Sequence, residues 1–132
     1  MTDKITFDLV TPERLMLSTQ AEMVTIPGSE GDMGVMAGHM PLISTLRPGI
    51  VAVSGAEGGD KRFVVLGGFA EIDAAKLTLL AEEAIPAAEF DTAALDARIA
   101  IATDAVTQAK SDAEKASRQQ ALDGLQQLRA VI

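Results

Sequence analysis

The sequence contains no cysteine, no tryptophan and no tyrosine, and its single histidine is His39. Without cysteine there is no disulfide, no thiolate nucleophile and no cysteine-ligated zinc or iron–sulfur cluster, so a metal site would have to be built from carboxylates. That absence fits a reducing compartment without proving one. Four phenylalanines are too few for a base-stacking platform. Basic residues are also scarce, 11 against 19 acidic, for a net charge of -8. An acidic body repels phosphate backbones, which argues against a nucleic-acid partner. No apolar run approaches the roughly 20 residues needed to cross a bilayer. The opening Met-Thr-Asp-Lys-Ile lacks the basic flank and apolar stretch of a secretory leader. Membrane association is therefore expected only through a partner.

What is present falls into two textures. Up to about residue 88, short apolar runs are separated by Gly, Pro, Asp and Ser, the rhythm of an all-β domain. Ile5, Phe7 and Leu9 alternate with Thr6 and Asp8, which puts the apolar side chains on one face of a strand. Further strands are expected at Leu15 to Leu17, Ala21 to Ile26, Leu42 to Leu46, Ile50 to Val53, Phe63 to Leu66, Phe69 to Ile72 and Leu77 to Ala81. About eight to ten short strands in so short a segment imply two stacked sheets, a sandwich or flattened barrel. Residues 1–88 thus read as a β-sandwich docking domain.

Residues 89–132 read as an antiparallel helical hairpin. Leu95, Ile99, Ala102, Val106 and Ala109 form a helical seam, with Asp91 as N-cap. Ser111 and Glu114 make a capping box for a second helix, whose seam is Ala121, Leu125, Leu128 and Ile132, with Leu122 beside them. The turn end is lined by alanine, so the hairpin is expected to be held mainly at its base, where leucines and isoleucines meet.

The segment from Pro27 to Leu42 concentrates glycine, acids, methionine and His39. It is not a phosphate loop: Gly-Lys-Ser/Thr is missing, and no helix follows. Glu30, Asp32 and His39 lack the spacing of a calcium loop. Ser44 and Ser54 sit in no Gly-x-Ser-x-Gly elbow, and Glu82-Glu83, adjacent in a strand, would point to opposite faces. No catalytic residue, cofactor or metal is expected. Binding remains, with two occupants to weigh: a partner protein, or a small acidic or carbohydrate ligand under the Gly-rich loop.

Ile26-Pro27-Gly28-Ser29-Glu30-Gly31-Asp32-Met33-Gly34, Gly38-His39-Met40-Pro41-Leu42, Leu46-Arg47-Pro48-Gly49 and Gly67-Gly68-Phe69-Ala70-Glu71-Ile72 resemble the epsilon subunit family of bacterial F-type ATP synthase, over residues 4 to about 91. The resemblance implies a ten-stranded β-sandwich and two helices at the foot of the central stalk, peripheral on the cytoplasmic face of the inner membrane. It implies that ring rotation driven by proton flow is passed to gamma and the catalytic alpha/beta head. Carried over by position, Glu30, Gly31 and Asp32 are expected toward the c-ring, and Met36, His39 and Met40 toward gamma. The family's hairpin can extend along gamma and obstruct rotation, and some members bind ATP through an Ile/Leu-Asp-x-x-Arg-Ala motif. Here Asp91 keeps the motif's acid, Ala94 replaces its arginine, and Arg98 lies at a shifted spacing from Asp96. With only Lys115, Arg118 and Arg129 on the last helix, inhibition of the head is expected to be weak.

Overall fold

A computed structural model describes residues 3–132. The chain forms two compact units, one running to Glu89 and one from Phe90 to Ile132.

The first unit is a β-sandwich of ten strands: β1 (Ile5–Val10), β2 (Leu15–Ala21), β3 (Met23–Gly28), β4 (Gly31–Val35), β5 (Leu42–Leu46), β6 (Gly49–Ser54), β7 (Lys61–Val65), β8 (Gly68–Ile72), β9 (Lys76–Ala81) and β10 (Ala84–Pro86). They hydrogen-bond in the order β10-β7-β6-β3-β5-β8-β9-β1-β2, with β4 attached to β3. All these pairings are antiparallel except β1 with β9. The expected alternation in β1 is present, with Ile5, Phe7 and Leu9 buried and their neighbours half-buried. These three pack with Val24, Ile26, Val51, Val53, Leu77 and Leu79 in one core, and no polar or charged side chain among the described residues is buried.

Two strand expectations change. β2 runs on through Ser18, Thr19 and Gln20, because an edge strand paired only with β1 tolerates polar residues on its outer face. Part of the Gly-rich segment, expected as a loop, is the strand β4, which pairs from Val24↔Val35 to Gly28↔Gly31. Gly31 and Gly34 had hidden its alternation by contributing no side chain to the pattern.

One corner organises this end of the sandwich. β3 pairs with β6 from Met23 to Thr25, then meets β5 at Gly28↔Leu46. Between them stands Pro27, which has no N–H to give. Its carbonyl accepts from the Arg47 N–H at 3.0 Å, and the Ser29 N–H donates to the Thr45 carbonyl at 3.0 Å. Gly49 packs so closely here that a Cβ would lie 2.4 Å from Pro27 Cβ.

On the outer face of β1, the Ser18 hydroxyl donates to Asp8 Oδ1 at 2.7 Å and holds that carboxyl below its ordinary value; partial burial opposes the effect, and Lys76 Nζ at 3.2 Å adds to it.

The second unit consists of α1 (Thr92–Thr107) and α2 (Asp112–Val131), packed along one another. Both expected caps form: Asp91 accepts from the Ala93 N–H at 2.9 Å and Ser111 from the Glu114 N–H at 3.1 Å. Glu114 reaches back to the Lys110 N–H rather than to Ser111 itself. The α2 seam is rotated from expectation. Leu122, Gly124 and Leu128 are buried, whereas Ala121 and Ile132 are exposed. Nor is the base the only fastening. Arg129 Nε meets Asp96 at 2.9 Å, and near the turn Arg118 donates to the Ala105 carbonyl at 2.8 Å, one of the last-turn acceptors that a cation favours. An arginine reaching between helices compensates for an alanine-lined turn, which counting apolar residues alone does not reveal.

Gly49→Ala is expected to cost about 1–3 kcal/mol by overpacking the corner, read as a lower denaturant midpoint of the full chain. Asp8→Asn tests the charged pair. Because the folded-state pKa is lowered, its stabilisation is present above the unfolded value and is lost as pH falls through the folded one. Denaturation across pH should show the variant weaker at neutrality, with the gap closing below about pH 4.

Candidate functional site

The Gly28↔Gly31 pair closes the β3–β4 hairpin over a two-residue turn, Ser29-Glu30. Gly31 adopts φ +140°, and a Cβ on Gly28 would come within 2.8 Å of the Gly31 carbonyl oxygen, so the tight turn favours glycine at both ends. Glu30, Gly31 and Asp32 are thereby brought together at one exposed hairpin tip. Asp32 is not alone there: Arg47 Nη2 contacts its Oδ1 at 2.6 Å, while Nη1 of the same guanidinium donates to the Gly28 carbonyl. The tip borders an open recess of about 530 Å³ lined by Ser29, Glu30, Asp32, Met33, Ile43 and Thr45.

After β4 the chain turns through Met36 to Pro41. The His39 N–H donates to the Met36 carbonyl at 3.2 Å, and the Gly38 N–H donates to the Ala74 carbonyl at 2.7 Å, tethering this loop to the β8–β9 turn. His39 Nδ1 lies 2.7 Å from the Met40 carbonyl oxygen. A carbonyl only accepts, so Nδ1 carries a proton in this contact and Nε2 is left for another partner. The ring is half-buried, whereas Met36 and Met40 are exposed, Met40 at 79%. The expected trio Met36, His39 and Met40 therefore shares one short loop.

Beside it, β5 carries an apolar surface that the sequence reading missed. Leu42 and Ile43, adjacent and so on opposite faces of a strand, are both exposed, Ile43 at 74%. Two consecutive apolar residues in a short strand cannot both enter one core, and that was the available signal. Across the same sheet, Phe69 and Leu80 form an exposed cross-strand pair, with Val10 opposite Leu80 on β1.

Asp91 and Arg98, the expected nucleotide-contacting residues, lie in the second unit. The Asp91 carboxylate is engaged as the α1 N-cap, and Arg98 stands about two turns further along. Among the described residues, no group of three His, Asp or Glu side chains is placed to hold a metal, and no helix is long and apolar enough to cross a membrane.

Acids on a tightly held hairpin beside exposed apolar strands are the surface features of a protein-binding module rather than of an enzyme pocket. Known proteins share the fold. Residues 4–87 match the family model described as ATP synthase, Delta/Epsilon chain, beta-sandwich domain. The chain is 52% identical over 132 residues to the ATP synthase epsilon chain of Parvibaculum lavamentivorans, covering 100% of both. It is 46% identical over 132 residues to that of Mesorhizobium japonicum, covering 100% of this chain and 98% of the other. A chain in the cryo-EM structure of the Euglena gracilis mitochondrial ATP synthase, OSCP/F1/c-ring in rotational state 1, superposes with a TM-score of 0.75 at 30% identity, over 97% of this chain and 81% of that one. The chain belongs to the ATP synthase epsilon chain family, whose members are non-catalytic, central-stalk subunits of the F-type enzyme.

If Ile43 serves a partner rather than the core, Ile43→Ser should leave the unfolding free energy of the free chain, read by denaturant titration, unchanged to within about 0.5 kcal/mol, as for other exposed substitutions.

Proposed function

We propose that the chain couples c-ring rotation to the gamma subunit, and through it to the alpha/beta head, in a proton-translocating F-type ATP synthase, held peripherally at the cytoplasmic face of a bacterial inner membrane. The carrying observation is the placement of two unlike surfaces on one stiff β body: the acidic tip Glu30-Gly31-Asp32, and the apolar loop and strand running from Met36 to Ile43. Acids at the tip suit basic, polar loops of a ring. Met36, His39 and Met40 suit an amphipathic protein surface such as gamma, where methionines adapt and the His39 ring supplies one polar contact through Nε2. Passing torque requires many simultaneous contacts, so the load falls on no single residue.

The helical hairpin has at most a weak regulatory part in this reading. Two of the cations on α2, Arg118 and Arg129, are engaged within the hairpin itself, leaving little positive charge for an acidic catalytic head. Any nucleotide held on α1 would meet Asp91 and Arg98, weakly, since Ala94 supplies no guanidinium.

Capture on immobilised gamma subunit tests the docking surface. Residues 1–89, a unit with its own core, should be captured as well as the full chain, and a full chain carrying Met36→Asp and His39→Asp should bind at least about tenfold more weakly. Equal capture of the double variant would overturn the assignment to gamma. Failure of the unaltered chain to bind gamma, together with heat released on adding a small acidic or carbohydrate ligand, would favour the ligand-binding reading instead.

A further inference from the structure

The acids at the hairpin tip are not equivalent. Asp32 Oδ1 and the Gly28 carbonyl lie on opposite strands of the β3–β4 hairpin, on either side of the Ser29-Glu30 turn, and both accept from the single guanidinium of Arg47. Two backbone bonds, Arg47 N–H to Pro27 and Ser29 N–H to Thr45, join the same tip to the same end of β5. Glu30, at the apex, is exposed and pairs with none of the described residues. We infer that Arg47 is a positioning residue: it straps the tip to the β5–β6 corner, Asp32 serves as the anchor of that strap, and Glu30 is the carboxylate presented to a basic partner loop. This rests on the tip being the ring-facing surface.

Physical chemistry favours that division. An exposed ion pair such as Asp32–Arg47, with Asp32 65% exposed, adds little to global stability. A planar fork that satisfies two acceptors on two strands instead fixes geometry, which a lysine ammonium, lacking the fork, does not reproduce. A two-residue turn bounded by glycines is a natural hinge, and a surface that must transmit force gains from having that hinge clamped. An acceptor already facing a guanidinium also has less to offer a second cation than the open carboxylate two residues away.

Four full-length variants separate the roles: Arg47→Lys, Asp32→Asn, Glu30→Gln and Glu30→Lys. In the isolated chain, amide hydrogen exchange at Ser29 and Gly31 should quicken about tenfold or more in Arg47→Lys and Asp32→Asn, with the melting temperature and exchange in β1 unchanged, and should stay at the original rate in both Glu30 variants. In reconstituted ATP synthase, proton pumping per ATP hydrolysed should fall in all four, most in Glu30→Lys. Original exchange rates at the tip in Arg47→Lys would overturn the strap, whatever the complex does. Quickened exchange with full coupling in Arg47→Lys, when Glu30→Lys is impaired, would overturn the need for a clamped tip. Full coupling in Glu30→Lys would instead sink the ring-facing reading of the tip, while the exchange result still judges the strap by itself.

Discussion

Pro27 sets the terms for this end of the β body. In an extended strand the carbonyl and the N–H of a residue point to the same side, and the Pro27 carbonyl points toward the β5–β6 corner, where it meets the Arg47 N–H. The missing proline donor thus falls on the side of β6, and the β3–β6 ladder stops at Thr25. β5 takes over at Gly28, Arg47 turns the chain beside the proline, and Gly49 passes where no side chain would fit. The hairpin tip, its acids and the adjoining recess all take their position from this exchange of partners.

Beyond the corner, the sandwich separates internal cohesion from external contact. Its core is apolar throughout the described residues, so nothing inside it is tuned for chemistry. The apolar residues left outside, Met40, Ile43 and Phe69 among them, are too exposed to contribute to that core. A body stabilised this way can give its outer side chains wholly to neighbours, which accords with membership of a family of non-catalytic stalk subunits. The hairpin follows a different rule. Its fastenings are leucines and two arginines reaching between helices, so its positive charge is turned inward as much as outward.

Local patterns carried much of this architecture. The Ile5-Phe7-Leu9 alternation and the caps at Asp91 and Ser111 are short-range effects, and each has the structure its sequence implies. Features made of glycine or of distant pairs were not legible. β4 has glycine where alternation would show, and Arg47 meets Asp32 across fifteen positions through a corner that only the folded sheet creates. The α2 seam was misjudged by one position at Ala121, because Ala121 and Leu122 both satisfy a helical period and only packing chooses between them. For Glu30, Gly31 and Asp32, the family resemblance singled out the segment, but which acid is engaged by a neighbouring cation became visible only in three dimensions.

The one parallel pairing has a consequence for biogenesis. Phe7 on β1 lies opposite Leu77 on β9, seventy positions later, so on a translating ribosome the first strand must wait several seconds for its neighbour at ordinary synthesis rates. During that interval β2 is the one strand hydrogen-bonded to β1, and the other flank of β1 is an open template for stray strands. The helices, whose contacts are short in sequence, instead form with little delay once made.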